Sequence, residues 1–236
     1  MPQAPPVKRY PYAQWSPDAR ALDLVGDKWT LLIVRDLAAG PQRFVDLQRV
    51  LPGISSEQLR ARVNRMVADG LLTRKRYREV PPRVDYELTA GSRELLRVIG
   101  ALARWGYDWA WTAPREGEAI NVGAILRLAP GLLELPETVG GRAEFVVDED
   151  AATTSCYTLA VHAGAVTICA HTDERPDVRV RGAQSDWIAA FGPAADFGGL
   201  EIEGDRRLAG MLLDGIAASR SAPRAGVESL RALQTS

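Results

Sequence analysis

The chain has 236 residues, 46% of them hydrophobic and 25% charged, with a formal net charge of −1. This composition excludes a fibrous or low-complexity polymer, and the length predicts two globular domains. No apolar run reaches the roughly 18 residues a membrane span requires, and the two cysteines make no disulfide framework, so the expectation is a cytoplasmic protein with reduced thiols and no membrane partner.

The near-zero net charge hides a split between halves. Residues 1–111 hold 18 Lys and Arg against 12 Asp and Glu, a net of +6, whereas residues 112–236 hold 11 against 18, a net of −7. A basic half suited to a polyanion is thus joined to an acidic half with other work.

In chain order, residues 1–15 are Pro-rich and read as a flexible arm without the apolar core of a secretory signal. Ser16 and Pro17 have the chemistry of an N-cap and a first helical position, so a helix is predicted over 18–25. Further helices follow over 28–37 and 44–51, separated by Gly26 and Gly40-Pro41. Pro52-Gly53 turns the chain into a fourth helix, capped by Ser55 or Ser56 and closed by Gly70. Two β-type runs joined by Pro81-Pro82 make a hairpin over 72–89, after which a helical pattern fills 91–111 and ends in aromatic residues. Residues 112–117 read as a linker.

On a 100° wheel the fourth helix places Leu59, Val63, Met66 and Val67 inward, and Glu57, Gln58, Ala61, Asn64 and Arg65 outward. Amides and guanidinium groups are the chemistry that reads purine edges or grips phosphate. Ser56, Gln58, Ala61 and Arg62 are placed nearest the bases, with Arg65 nearer the backbone and the cap residue Ser55 counted with them as DNA-binding. Between residues 55 and 83 the chain carries eight Arg or Lys against three acidic residues. Arg74, Lys75, Arg76 and Arg78 lie along the first hairpin strand and Arg83 at its tip. Strand alternation puts Arg74, Arg76 and Arg78 on one face, suited to phosphates. A basic edge strand that merely discourages aggregation is the competing reading.

The motifs GDKWTLLIVRDL (26–37), RFVDLQRVLPGIS (43–55), ADGLLTR (68–74) and EVPPRVDYELT (79–89) resemble the HxlR family of winged helix-turn-helix transcriptional regulators. The resemblance implies a homodimer, paired through the first and last helices of a domain over 16–111. It also implies double-stranded DNA as partner, a near-palindromic operator with half-sites about one turn apart, and repression as the expected action. Many members carry a sensing cysteine where this chain has Ser16, so the thiol mechanism is not carried over.

The second half, 118–220, predicts a helix over 122–128, strands over 143–147, 156–161, 166–170 and 178–181, and helices over 185–191 and 206–218, with a tail over 221–236. The fold class is therefore α+β, with a mostly antiparallel sheet covered by helices. Writing the Ala163-Gly164 turn with Val161 opposite Val166 puts Tyr157, Leu159, Val161, Val166, Ile168 and Ala170 on one apolar side. Cys156, His162, Cys169 and His171 lie close in sequence. In this register, however, His162 sits at the turn, six residues or roughly 20 Å from Cys156, too far for a shared zinc. No nucleophile elbow, phosphate loop or dinucleotide fingerprint is present, so neither an enzyme nor a cofactor is expected.

Residues 177–216, with a DVxxxG-like strand and a GDxxLAxxLL-like helix, resemble the C-terminal part of the sterol carrier protein fold. That resemblance implies a hydrophobic small-molecule effector lodged among Phe145, Val147, Tyr157, Leu159, Val166, Ile168, Trp187, Phe191, Phe197, Met211 and Leu212. A closed core used only for dimerisation is the alternative for this half. For the whole chain, the alternative is a lipid carrier or scaffold whose winged helix makes protein contacts.

Overall fold

A computed structural model describes residues 11–78, 83–171 and 175–217. The Pro81-Pro82 tip, most of the expected arm and the 221–236 tail lie outside these residues. Two compact units divide the chain, residues 1–96 and 97–236.

In the first unit, α1 (Pro17–Val25) starts where Ser16 Oγ accepts from Ala19 N. Helix α2 (Thr30–Asp36) begins two residues later than the expected start at 28, because Asp27 Oδ1 accepts from the amides of both Trp29 and Thr30 and makes residues 27–29 a cap. A short strand β1 (Gln42–Arg43) precedes α3 (Phe44–Val50) and α4 (Ser56–Ala68). Gly70 then takes φ +75°, the left-handed conformation that ends a helix without a Cβ penalty.

The hairpin is β2 (Leu72–Tyr77) with β3 (Arg83–Leu88), antiparallel with Leu72 opposite Leu88 and Tyr77 opposite Arg83. β1 adds to the far side of β3, so β2 is an edge strand. Ile33, Leu47, Leu59, Val63, Met66, Leu72 and Leu88 are the core, and burying each contributes about 1.5–3 kcal/mol before chain entropy is counted. Four helices, the last two forming the helix-turn-helix pair, and a two-stranded wing are what the sequence leads one to expect. β1 is too short to have been read from it.

The helix expected over 91–111 is two: α5 (Ala90–Arg93), capped by Thr89, and α6 (Leu95–Trp109). From residue 97 onward α6 belongs to the second unit by its contacts, 15 residues before the sequence-predicted linker begins at 112. There Gly100 meets the backbone at Gly131 so closely that a Cβ would lie 1.8 Å from Gly131 O.

The rest of that unit comprises α7 (Val122–Leu126), α8 (Ala129–Leu132), β4 (Gly141–Asp148), β5 (Thr154–His162), β6 (Ala165–Cys169), β7 (Val178–Ala183), α9 (Gln184–Phe191), β8 (Glu201–Gly204) and α10 (Arg206–Ala217). Its sheet runs β6-β5-β4-β7-β8, antiparallel except for the parallel pair β4 and β7. The β5–β6 hairpin has Val161 opposite Val166 as the turn chemistry requires, with Ala163 and Gly164 both at positive φ. Strand β8, not among the strands expected from sequence, pairs through Ile202 with Val180. Phe145, Trp187 and Phe191 stack at 5.8 and 5.5 Å between ring centroids, at the centre of this core. Overall the chain is α+β.

Candidate nucleic-acid interface

Helix α4 is fixed at its start by a reciprocal cap. Ser55 Oγ accepts from Gln58 N at 3.1 Å, and Gln58 Oε1 accepts from Ser55 N at 3.2 Å. Leu59, Val63 and Met66 face the core, and Ser56, Glu57, Gln58, Arg60, Ala61, Asn64 and Ala68 are exposed. Arg62 and Arg65 are half-buried and held. Arg62 Nη1 lies 3.0 Å from Asp27 Oδ2, and Arg65 Nε donates to Asp69 Oδ2 at 2.9 Å. Ser56 Oγ accepts from Gln48 Nε2. Of the helix residues placed nearest the bases, Ala61 is open, while Ser56, Gln58 and Arg62 each have a structural partner, as does Ser55 at the cap. Arg60, whose guanidinium sits 5.6 Å from the Phe44 ring centroid, and Asn64 are exposed as well.

One side of α4 forms the wall of an open groove of about 430 Å³, lined by Gln58, Ala61, Arg62 and Arg65 and, on its other side, by Lys28 and Trp29 from the turn before α2. Lys28 Nζ lies 4.8 Å from the Trp29 ring centroid. Asp27 joins the two walls, capping α2 and pairing with Arg62. Lys28 and Trp29 were not among the sequence-predicted site residues. Both are visible in GDKWT, but only the fold brings them beside α4.

The wing cations divide into two sets. Lys75 pairs with Glu87, which also holds Arg93 at 3.3 Å, and this hydrogen bond keeps the Lys75 ammonium above its usual range. Arg83 donates from Nε to both carboxylate oxygens of Asp85 at 2.9 Å and from Nη2 at 2.6 Å, which holds the Asp85 carboxyl below the ordinary range. Arg83 also lies over Tyr77, 5.2 Å from the ring centroid. By contrast Arg74, Arg76 and Arg78 are exposed and have no ion-pair partner among the described residues. Arg74 and Arg76 stand opposite Tyr86 and Val84 and therefore share a face, as strand alternation predicts.

In the second unit, nine of the eleven residues expected to line an effector site are buried; Phe197 and Met211 are half-buried. They pack as core. Among them a charge is present: Arg127, 5% exposed, places its guanidinium 5.1 Å from the Tyr157 ring centroid. The Tyr157 hydroxyl rests against Gly123, where a Cβ would come within 2.0 Å of it. Cys169 Sγ lies 3.5 Å from His171 Nε2, yet no cluster of metal-ligating side chains exists among the described residues. Burial pushes the Cys156 thiol up, away from the thiolate form that a sensor needs. No helix among the described residues is long and apolar enough to cross a membrane.

The HxlR-like helix-turn-helix family model matches residues 24–113, from the end of α1 through α6. An uncharacterized HTH-type transcriptional regulator of Synechocystis, sll1512, is 39% identical over 39% of this chain and 69% of its own length. YkvN of Bacillus subtilis, another uncharacterized HTH-type regulator, is 34% identical over 41% of this chain and 81% of its own. Among solved structures, the putative transcriptional regulator ytfH from Salmonella typhimurium is 35% identical, covering 40% of this chain and 85% of that one with a TM-score of 0.36. These relatives are transcriptional regulators, not enzymes, and through its residues 24–113 the chain belongs to the HxlR-like helix-turn-helix family.

Proposed function

We propose that this chain is a cytoplasmic, homodimeric transcriptional regulator that binds a near-palindromic operator through α4 and the β2–β3 wing, and that it represses. The observation that carries the reading is the set Arg74 and Arg76, exposed on the edge strand β2, with Arg78, which was expected on that strand but lies one residue past its end at Tyr77; all three lack carboxylate partners among the described residues, while neighbouring cations are paired. A merely solubilising strand would gain nothing by sorting its cations this way. The dimer reading is supported by Val98, Leu102 and Trp105 of α6, 50%, 54% and 58% exposed, which fall at i, i+4 and i+7 as one apolar stripe. The test is binding to DNA flanking the protein's own gene. Changing Arg74, Arg76 and Arg78 together to Ala should weaken it and flatten its salt dependence, and unchanged binding would overturn the reading.

We further infer that the C-terminal unit receives a hydrophobic effector. The aromatic cluster of Phe145, Trp187 and Phe191, with ring centroids 5.8 and 5.5 Å apart, supports this as an apolar interior. The effector acts on transcription only if it favours one dimer geometry over another. Native mass spectrometry with a panel of apolar carboxylates and neutral lipids tests it, and failure of every compound to bind would sink this half of the proposal.

A further inference from the structure

The groove between α4 and the turn before α2 is more than an incidental gap in the DNA-facing side. Its cations are unequal. Arg62 is half-buried and paired with Asp27, and Arg65 is paired with Asp69, so each arrives with its charge largely compensated. Lys28 is exposed, makes no ion pair among the described residues, and has its ammonium 4.8 Å from the centre of the Trp29 ring. The indole and Ala61 give the groove an apolar wall, and Gln58 adds an amide. One available cation beside one flat apolar surface matches one anionic oxygen group attached to a compact ring. At about 430 Å³ the space has room for such a unit.

Resting on the DNA-binding reading above, we propose that this groove takes one sugar-phosphate of the DNA backbone in each protomer, with Lys28 on the phosphate and the Trp29 indole against the deoxyribose. Asp27 is a positioning residue. By capping α2 and pairing with Arg62 it fixes the start of α2 to the side of α4, and with it the distance between Lys28 and the helix that enters the groove. The contact is blind to base sequence and sets the register of α4 along the duplex.

The experiment measures affinity of the full chain across a salt series. It uses a mixed-sequence duplex and the DNA upstream of the protein's own gene, comparing wild type with Lys28→Ala, Lys28→Arg and Arg74→Ala. Loss of one phosphate contact per protomer should lower the log–log salt slope of Lys28→Ala by about 1.8 for a dimer, on both duplexes alike. Lys28→Arg should restore it. A merely structural lysine would shift the melting temperature without changing the slope. Two outcomes overturn the proposal: a Lys28→Ala slope equal to wild type while Arg74→Ala reduces it, or a Lys28→Ala loss confined to one duplex, which would mean base reading. If wild type binds neither duplex, it is the DNA-binding reading itself that falls.

Discussion

Asp27 Oδ2 stands 3.0 Å from Arg62 Nη1, while the other oxygen of the same carboxylate accepts from the amides of Trp29 and Thr30 at 2.9 and 3.1 Å. One side chain thus terminates a helix and braces its neighbour. Asp27→Ala removes both functions and should destabilise the N-terminal unit by about 1–2 kcal/mol, the usual range for a lost cap. Asp27→Asn keeps an acceptor for the amides and should lose less. Chemical denaturation of the two variants would check the order, and equal losses would mean that the ion pair outweighs the cap.

Arg83 is the wing cation whose role the structure changes most. Placed at the hairpin tip by the sequence, it reads as a phosphate contact; in the fold it clamps Asp85, which is only 1% exposed. Arg83→Ala strands that carboxylate and should cost about 1–2 kcal/mol of stability. Because the folded-state pKa of Asp85 is depressed, its contribution is fully present above the ordinary carboxylate pKa of roughly 3.9 and is lost as pH falls through the lower folded value. Denaturation between about pH 6 and 2 should therefore show wild type losing more stability on acidification than Asp85→Asn, which has no proton to take up there.

What the sequence conveyed and what it withheld separate along one physical line. The Ser55–Gln58 cap, the Gly70 stop and the Ala163-Gly164 turn act over a few residues, so their chemistry can be read from spacing alone. The pairings of Arg62 with Asp27 and of Gly100 with Gly131 join residues 35 and 31 positions apart, and nothing local announces them. β1 and β8, of two and four residues, owe their extension to the strands beside them rather than to any alternation of their own. The same limit hid Lys28 and Trp29, which GDKWT displays but whose position beside α4 depends on the packing of α2.

If the apolar stripe on α6 is a dimer surface, a charge placed in its middle should split the dimer. Leu102 is 54% exposed, so Leu102→Glu removes no core contact of comparable size and should leave the melting temperature of the monomer nearly unchanged. Sedimentation velocity should show the shift to monomer, and operator affinity should fall because two half-sites no longer act as one ligand. A variant that stays dimeric with the Val98–Trp105 stripe disrupted would place the interface elsewhere.

The contact of α6 with α8 tolerates no side chain. An ideal Cβ on Gly100 would lie 1.8 Å from Gly131 O and 2.2 Å from its carbonyl carbon, both backbone atoms, so neither can turn aside as a flexible side chain would. Arg104, one helical turn on, donates from Nη1 to Leu132 O at 2.9 Å and is held at the distance this approach sets. Although alanine is the better helix former by about 1 kcal/mol, Gly100→Ala must move α6 and α8 apart, at an overpacking cost of about 1–3 kcal/mol. The expected outcome is a lower melting temperature, together with faster hydrogen exchange at the α8 amides. The neighbouring Gly106→Ala, whose Cβ meets nothing within 4 Å, should instead be neutral or stabilising. Equal behaviour of the two alanine variants in thermal melts would show that α6 does not rest on α8 in solution.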